Sequence, residues 1–381
     1  HKVCDEGHAD IAKILTENAT PLRIDLNIKN NDGKTGFIKS CGNGHSKVVK
    51  ILMENAAALG IDLNEKDNKG WTGFHYACEE GHTDVVKTLM KNAATMSINL
   101  NTKNNIGETG FHCACSKGHS NVINIFMENT TALGIDLNEK DNEGWTGLHF
   151  ACDGGDIDVI KTLMKNAAAL NIDVNAKFRS EMAPFCIAFD DLFMVNPTTL
   201  NIDLDENDND GTTAFHLACQ KGNSDVVKIF MKNAAALSID LNRKDNNGLT
   251  GFHLACRSGH SDVVKVILDC EFFHDLQSND LQERKYLSPT CIISASALRI
   301  DLNRKDNDGN TAFHYICQKG DSELVKIFME HLASLSINVN IKNNNGMTAL
   351  DLANRSGRTD VVNILMETAD FARSKMIQGS V

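Results

Sequence analysis

The strongest constraint on this chain is a fixed period. A turn glycine recurs at Gly33, Gly70, Gly107 and Gly144, then Gly211 and Gly248, then Gly309 and Gly346, spaced 37 residues apart within each group. The fullest copy of the unit reads Asp67-Asn68-Lys69-Gly70-Trp71-Thr72-Gly73-Phe74-His75-Tyr76-Ala77-Cys78, then Gly81-His82-Thr83-Asp84-Val85-Val86-Lys87. A period in this range specifies a stack of supersecondary units in place of one globular core. Almost every residue that looks chemically active recurs with the period, so it is read first as scaffold.

A chain of 381 residues would otherwise suggest two or three domains. Hydrophobic residues make up 42%, enough for a continuous core. The net charge is −12 and no basic stripe appears, which argues against a nucleic-acid partner. No run of 18 apolar residues exists, so no membrane-inserting helix is expected. The chain opens inside a unit, with His1-Lys2-Val3-Cys4 aligning on His75-Tyr76-Ala77-Cys78; it reads as a fragment, a monomer or part of a longer chain.

Eight of the twelve cysteines share one repeat position: Cys4, Cys41, Cys78, Cys115, Cys152, Cys219, Cys256 and Cys317. Equivalent positions on packed helices lie about 10 Å apart, too far for a disulfide. They read as small buried hydrophobes, and reduced thiols in this number favour a cytoplasmic, intracellular setting.

Cutting after the Asn of Ile-Asp-Leu-Asn gives ten units, the first partial. Residues 1–175 form regular repeats, 176–205 a shortened, degenerate one, and 206–268 regular repeats again. Residues 269–295 read as an insertion or a degenerate repeat, and 296–381 as repeats ending in a cap. The shortened unit is the expected weak joint.

The local code is legible. Asp-Asn-x-Gly is turn chemistry, with Asn and Gly expected at positive φ. Thr72 caps a first helix that ends near Gly81. A Ser or Thr (Ser46, Thr83, Ser120, Ser224, Ser261, Ser322, Thr359) is expected to cap the second helix. Val85, Val86, Leu89 and Met90 supply its apolar face, which Ala93, Ala94 and Met96 extend. Asp351 stands where His is usual, and Arg355, Arg358 and Asn363 add polarity, as a capping unit requires.

Thr-x-x-His with x-Ala-Cys, Gly-His and Val-Val-Lys resembles the ankyrin repeat. The resemblance covers nearly the whole chain. It implies an all-α solenoid of helix-turn-helix units with β-hairpin tips. Two departures stand out. Gly or Ala replaces the proline after Thr everywhere except Pro184, and the period is 37 in place of 33. The four extra residues fall in the second helix and add about one turn.

His75, Cys78 and His82 have a spacing that superficially suits zinc, but the repeat assigns them to scaffold; no metal and no cofactor are expected. In the resembled family the Thr-x-x-His imidazole ties hairpin to helix. No nucleotide loop or nucleophile motif is present, so an enzyme is not expected. The asparagines of Ile-Asp-Leu-Asn (Asn64, Asn101, Asn138, Asn242, Asn303) resemble those some ankyrin repeats offer to asparaginyl hydroxylases; a turn asparagine is the simpler reading.

What remains is variation at exposed positions. Trp71 and Trp145 occupy the slot after the turn glycine, where other units carry Lys34, Glu108, Thr212, Leu249, Asn310 and Met347. Exposed Trp is a common interface anchor; packing on the neighbouring hairpin is the alternative. First-helix ends vary too, with Glu79 and Glu80 early and Lys117, Lys221, Arg257 and Lys319 later. The resemblance implies a concave groove at these positions. The expected function is a non-catalytic protein–protein interaction scaffold that holds a protein partner there. The alternative is a regulatory or targeting segment of a larger enzyme or channel.

Overall fold

The computed structural model describes residues 1–168, 205–237, 239–269, 300–332 and 334–367. They form two compact units, 1–168 with 205–209, and the residues from 210 onward. The shortened repeat and most of the 269–295 stretch lie outside the described residues.

Each unit is built from helix pairs. In the first, Gly36–Gly42 pairs with Ser46–Glu54, Gly73–Glu79 with Thr83–Asn92, Gly110–Ser116 with Ser120–Leu133, and Gly147–Gly154 with Ile157–Ala168. In the second, Ala214–Lys221 pairs with Ser224–Leu237, Gly251–Ser258 with 261–269, Ala312–Lys319 with Ser322–His331, and Ala349–Arg355 with 359–367. Among the described residues no strand longer than an isolated bridge forms. The tips are fingers closed by turn hydrogen bonds: Asp67 N donates to Trp71 O at 2.9 Å and Gly70 N to Asp67 O at 3.0 Å. Only the glycine takes positive φ, 79° at Gly70; the finger asparagines do not.

Those asparagines instead join one finger to the next. Asn68 N donates to Asp32 O and Asn68 Nδ2 to Asn31 O, both at 3.0 Å. The ladder steps over both irregular stretches. Asn209 N reaches Glu143 O at 2.9 Å, and Asn307 N reaches Asn247 O at 3.1 Å. Asn209 thus lies beside the 141–144 finger in the first unit, and the 306–309 finger beside the 245–248 finger in the second. Lys140 Nζ to Asn207 O (2.7 Å) and Lys244 Nζ to Lys305 O (2.6 Å) make the same crossings.

The first helix starts at the expected cap. Thr72 accepts from His75 N, and His75 Nδ1 accepts in return from Thr72 N at 3.2 Å. This is a capping box with imidazole in the usual Glu/Gln place. His75 Nε2 donates to Glu108 O of the next repeat at 3.1 Å. The imidazole thus closes its own helix and fastens the following finger.

The start of the second helix differs from expectation. His45, His82 and His119 are the N-caps, and Ser46, Thr83 and Ser120 are the first helical residues, with no side-chain cap bond. Imidazole has a better use here, reaching back to the previous first helix. His82 Nε2 meets Gly42 O at 2.8 Å, His119 meets Glu79 O at 2.6 Å, and His260 meets Gln220 O at 2.8 Å. In the 304–340 repeat Asp321 occupies this place and caps directly, accepting from Leu324 N at 3.1 Å.

The extra turn is present but not always helical. Ser120–Leu133 and Ser224–Leu237 run 14 residues unbroken. Elsewhere the helix breaks, at Asn55 before Ala56–Leu59 and after Asn92. Ala93 is buried in that turn, Met96 half-buried and Ala94 exposed, so the apolar face extends less far than its sequence suggests.

The core lies between paired helices. Val85, Val86, Ala77 and Cys78 are fully buried, as are Phe126 and Phe328, which meet Phe111 at 5.2 Å and Phe313 at 5.5 Å. The packing explains the missing prolines. A Cβ on Gly147 would lie 2.5 Å from Phe111 Cε1 and 2.9 Å from Cys115 Sγ of the preceding repeat. Along the sequence, Gly or Ala stands here after every repeat that carries Phe, and the single Pro184 follows Leu148.

Candidate partner-binding face

The fingers and first helices present three variable columns: the slot after the turn glycine, the helix position after the buried histidine, and the first-helix end. The recurring residues behind them are engaged within and between repeats. Asp67 Oδ1 accepts from Lys69 N (2.9 Å) and Trp71 N (2.8 Å), which fixes the slot residue. Burial holds the histidines neutral, His75 down to about 4 and His112, His253 and His314 also lowered. Desolvation likewise pushes the thiols up, Cys317 to about 12, so the cysteine column carries no ready thiolate. Among the described residues no three His, Cys, Asp or Glu side chains gather to hold a metal, and no helix is long and apolar enough to cross a membrane.

Trp71 and Trp145 are half-buried, not fully exposed. Each packs on its own first helix: Trp71 lies 4.9 Å from Tyr76 and 5.9 Å from His75, and Trp145 lies 5.2 Å from Phe150 and 6.2 Å from His149. Lys34 in the preceding slot sets its Nζ 4.0 Å over the Tyr76 ring. Tyr76 donates to Asp67 Oδ2 at 2.7 Å. Sequence reasoning missed this second column; the signal was Tyr76, Phe150 and Tyr315 recurring after the scaffold histidine.

Glu79 is half-buried and pairs with Lys117 at 3.5 Å, while Glu80 is exposed. Acid and base at the helix ends therefore partly neutralise each other between neighbouring repeats. Glu108 is half-buried between the tryptophan-bearing repeats and accepts from Asn104 Nδ2 at 2.8 Å. Desolvation, with Asp141 and Glu79 nearby, raises its carboxyl above the usual range. Beside it on the same finger, Ile106 is 57% exposed.

In the second unit Lys221, Arg257 and Lys319 are exposed, and Lys319 Nζ reaches Ser258 O at 2.5 Å. Leu249 is a correction: only 2% of it is exposed, so it belongs to the core and not to the face. A groove of about 520 Å³ opens near the end of this face, lined by Asn310, Gln318, Asn343, Met347, Leu352 and Arg355 among others.

No curated protein matches the chain. Among solved structures, it is similar to the ankyrin repeat domain of Bcl-3, described as a unique member of the IkappaB protein family, with 20% identity and a TM-score of 0.52. That match covers 78% of this chain and 100% of the other. The family profile described as ankyrin repeats (3 copies) matches residues 1–102, 95–177, 186–280 and 288–375. With helix pairs, capping boxes and finger ladder all of one kind, the chain belongs to the ankyrin-repeat family.

Proposed function

We propose that this chain is a non-catalytic protein–protein interaction scaffold whose fingers and first helices hold a protein partner. Ankyrin repeats are generally modules of this kind, and the face has the matching division of labour. One observation carries the reading: the residues that repeat are consumed by contacts within and between repeats, and those facing outward beside them do not repeat. His75 spends both ring nitrogens on Thr72 and Glu108 O, and Asn64 spends its amide on Ser97 O and Asn99 N. Trp71, Glu108 and Trp145 stand in one slot with unrelated chemistries. The structural work of Asn64 also favours its reading as a turn asparagine.

Trp71 and Trp145 are the proposed anchors, with Glu79, Glu80 and Lys117 around them. A pull-down with the intact chain, repeated with the Trp71→Ala/Trp145→Ala double variant, tests this. Partner capture should fall at least tenfold while the far-ultraviolet circular dichroism is unchanged. Undiminished capture by the folded variant would remove the anchors.

A further inference from the structure

The first unit carries one aromatic station twice, two repeats apart. In the first copy Trp71 packs on Tyr76, and Lys34 from the preceding slot lays its ammonium over the Tyr76 ring at 4.0 Å. In the second copy Trp145 packs on Phe150 at 5.2 Å, and the residue equivalent to Lys34 is Glu108. The aromatic pair is repeated in both copies, and in the repeat register a glutamate takes the slot that holds Lys34 in the first.

Several observations make the second copy a receptor in place of a closed contact. Glu108 Oε2 is held by Asn104 Nδ2 at 2.8 Å, and among the described residues Oε1 accepts no hydrogen bond. The nearby charges are mostly negative: Glu79 and Asp141 both push the Glu108 carboxyl upward, and the opposing Lys117 is paired with Glu79 at 3.5 Å. Ile106, two residues before Glu108 on the same finger, is an exposed apolar side chain. Over the fingers and first helices at 67–80, 104–117 and 141–154 there are seven Asp and Glu against two Lys. A cation stacked on an aromatic face and paired with a carboxylate gains from both contacts.

We propose that the Glu108–Trp145–Phe150 station receives the guanidinium or ammonium of a partner segment, with an apolar partner residue seated on Ile106. The partner is thus a basic, partly apolar protein segment. The inference rests on the scaffold reading and gives it a chemical class.

The probe is a random dodecapeptide library displayed on phage, panned against the intact chain. Affinities of the enriched peptides are then read from tryptophan fluorescence. The chain contains two tryptophans, both on this face, so the signal is local. Enriched peptides should carry Arg or Lys beside an apolar residue. Replacing that cation by Ala, or Glu108→Gln in the chain, should weaken binding about tenfold, and raising the salt to about 0.5 M should weaken it further. Glu108→Gln keeps the Asn104 contact, and a matching melting curve shows that its fold is intact. Lys117→Met should bind at least as tightly, because it removes the competing cation.

Peptides lacking a cation, or binding indifferent to both Glu108→Gln and salt, would overturn the proposal. Peptides that need Trp71 and Trp145 but not Glu108 would leave the scaffold standing without this specificity. A library that yields no binder dependent on the tryptophans or on Glu108 counts against both.

Discussion

The two units share a backbone and differ in what they show. In the first, the finger and first-helix face carries Trp71, Trp145, Tyr76, Phe150 and an excess of carboxylates. In the second, the stretches 245–258, 306–319 and 343–356 carry no Trp and near-balanced charge: Asp245, Asp306, Asp308 and Asp351 against Arg257, Lys319 and Arg355. The slot there holds Leu249 turned into the core, then Asn310 and Met347 beside an amide-lined groove. The hydrogen-bond frame behind is the same, down to Tyr76–Asp67 in one and Tyr315–Asp306 in the other. The units therefore differ in the slot, the post-histidine position and the helix end, and the frame only holds those letters in register.

The frame itself offers the sharpest way to break the comparison. His112 accepts from Thr109 N (3.0 Å) and contacts Thr109 Oγ1 (2.8 Å), while its Nε2 meets Glu139 O at 2.8 Å and Trp145 O at 3.1 Å. His253 keeps the cap on Thr250, but its buried Nε2 meets the equivalent carbonyls of Arg304 and Asn310 only outside good hydrogen-bond geometry. Removing His112 orphans buried groups in two repeats, and His112→Ala should cost about 3 kcal/mol. His253→Ala should cost about 1–2 kcal/mol, since its outward bond is already weaker. Urea unfolding of both variants measures this. Equal losses would mean that the inter-repeat bond contributes nothing and that the cap alone matters.

Acid should act on the same histidines. The His75 pKa is depressed by desolvation from 6.5 in the unfolded chain to about 4 in the folded one. Its contribution is fully present above pH 6.5. As the pH falls, the unfolded chain takes up the proton first, and the stability is lost across the window from 6.5 down to about 4. His112, His253 and His314 shift in the same direction. The melting temperature should therefore drop steeply between pH 7 and pH 4.5. His75→Gln keeps a capping-box acceptor without a titrating ring, and its profile should be flatter. A profile as steep as the parent's would assign the acid loss to other groups.

The next effect is steric. Gly147→Ala puts a methyl against Phe111 and Cys115 and should cost about 1–3 kcal/mol by overpacking. In the second unit Ala312 already occupies the same position and is fully buried, so Ala312→Gly should cost under about 1 kcal/mol. If Gly147→Ala proves neutral in denaturant titration, the Phe-to-Gly fit is not what excludes larger residues.

This position also shows how far the sequence could be read. The period, the Thr cap, the buried cysteines and the all-α stack were legible because each is a local rule repeated many times. Gly in place of Pro was visible, but its cause was not, because the crowding atoms belong to Phe111 in the preceding repeat. The second-helix cap was misassigned to Ser46 and Thr83 for a similar reason. Serine is the better local cap, yet His82 gains a carbonyl 40 residues earlier. On the face, Trp71, Glu79, Lys117 and Lys221 were singled out from variation alone. Leu249 was miscounted because variation does not report direction, and Glu108 emerged as more than a slot residue only when its neighbours were placed.

The smallest expected effect is a control on the comparison. The added turn ends in a left-handed residue, Gly60 and Gly134 at φ 61° in two repeats, but Ser97 at φ 51° and Ser336 at φ 52° in two others. A side chain at Gly60 or Gly134 would meet nothing within 4 Å, so the glycines answer the backbone and not a neighbour. A non-glycine residue in this region costs about 1–2 kcal/mol, and the greater unfolded-state freedom of glycine returns roughly 0.5–1 kcal/mol of that. Ser97→Gly and Ser336→Gly should each stabilise the chain by about 0.5 kcal/mol. Both serine carbonyls are held alike, Ser97 by Asn64 Nδ2 at 2.9 Å and Ser336 by Asn303 Nδ2 at 3.0 Å, so the two gains should match. Unequal gains in denaturant titration would place a difference between the units in the backbone itself, beneath the letters on the face.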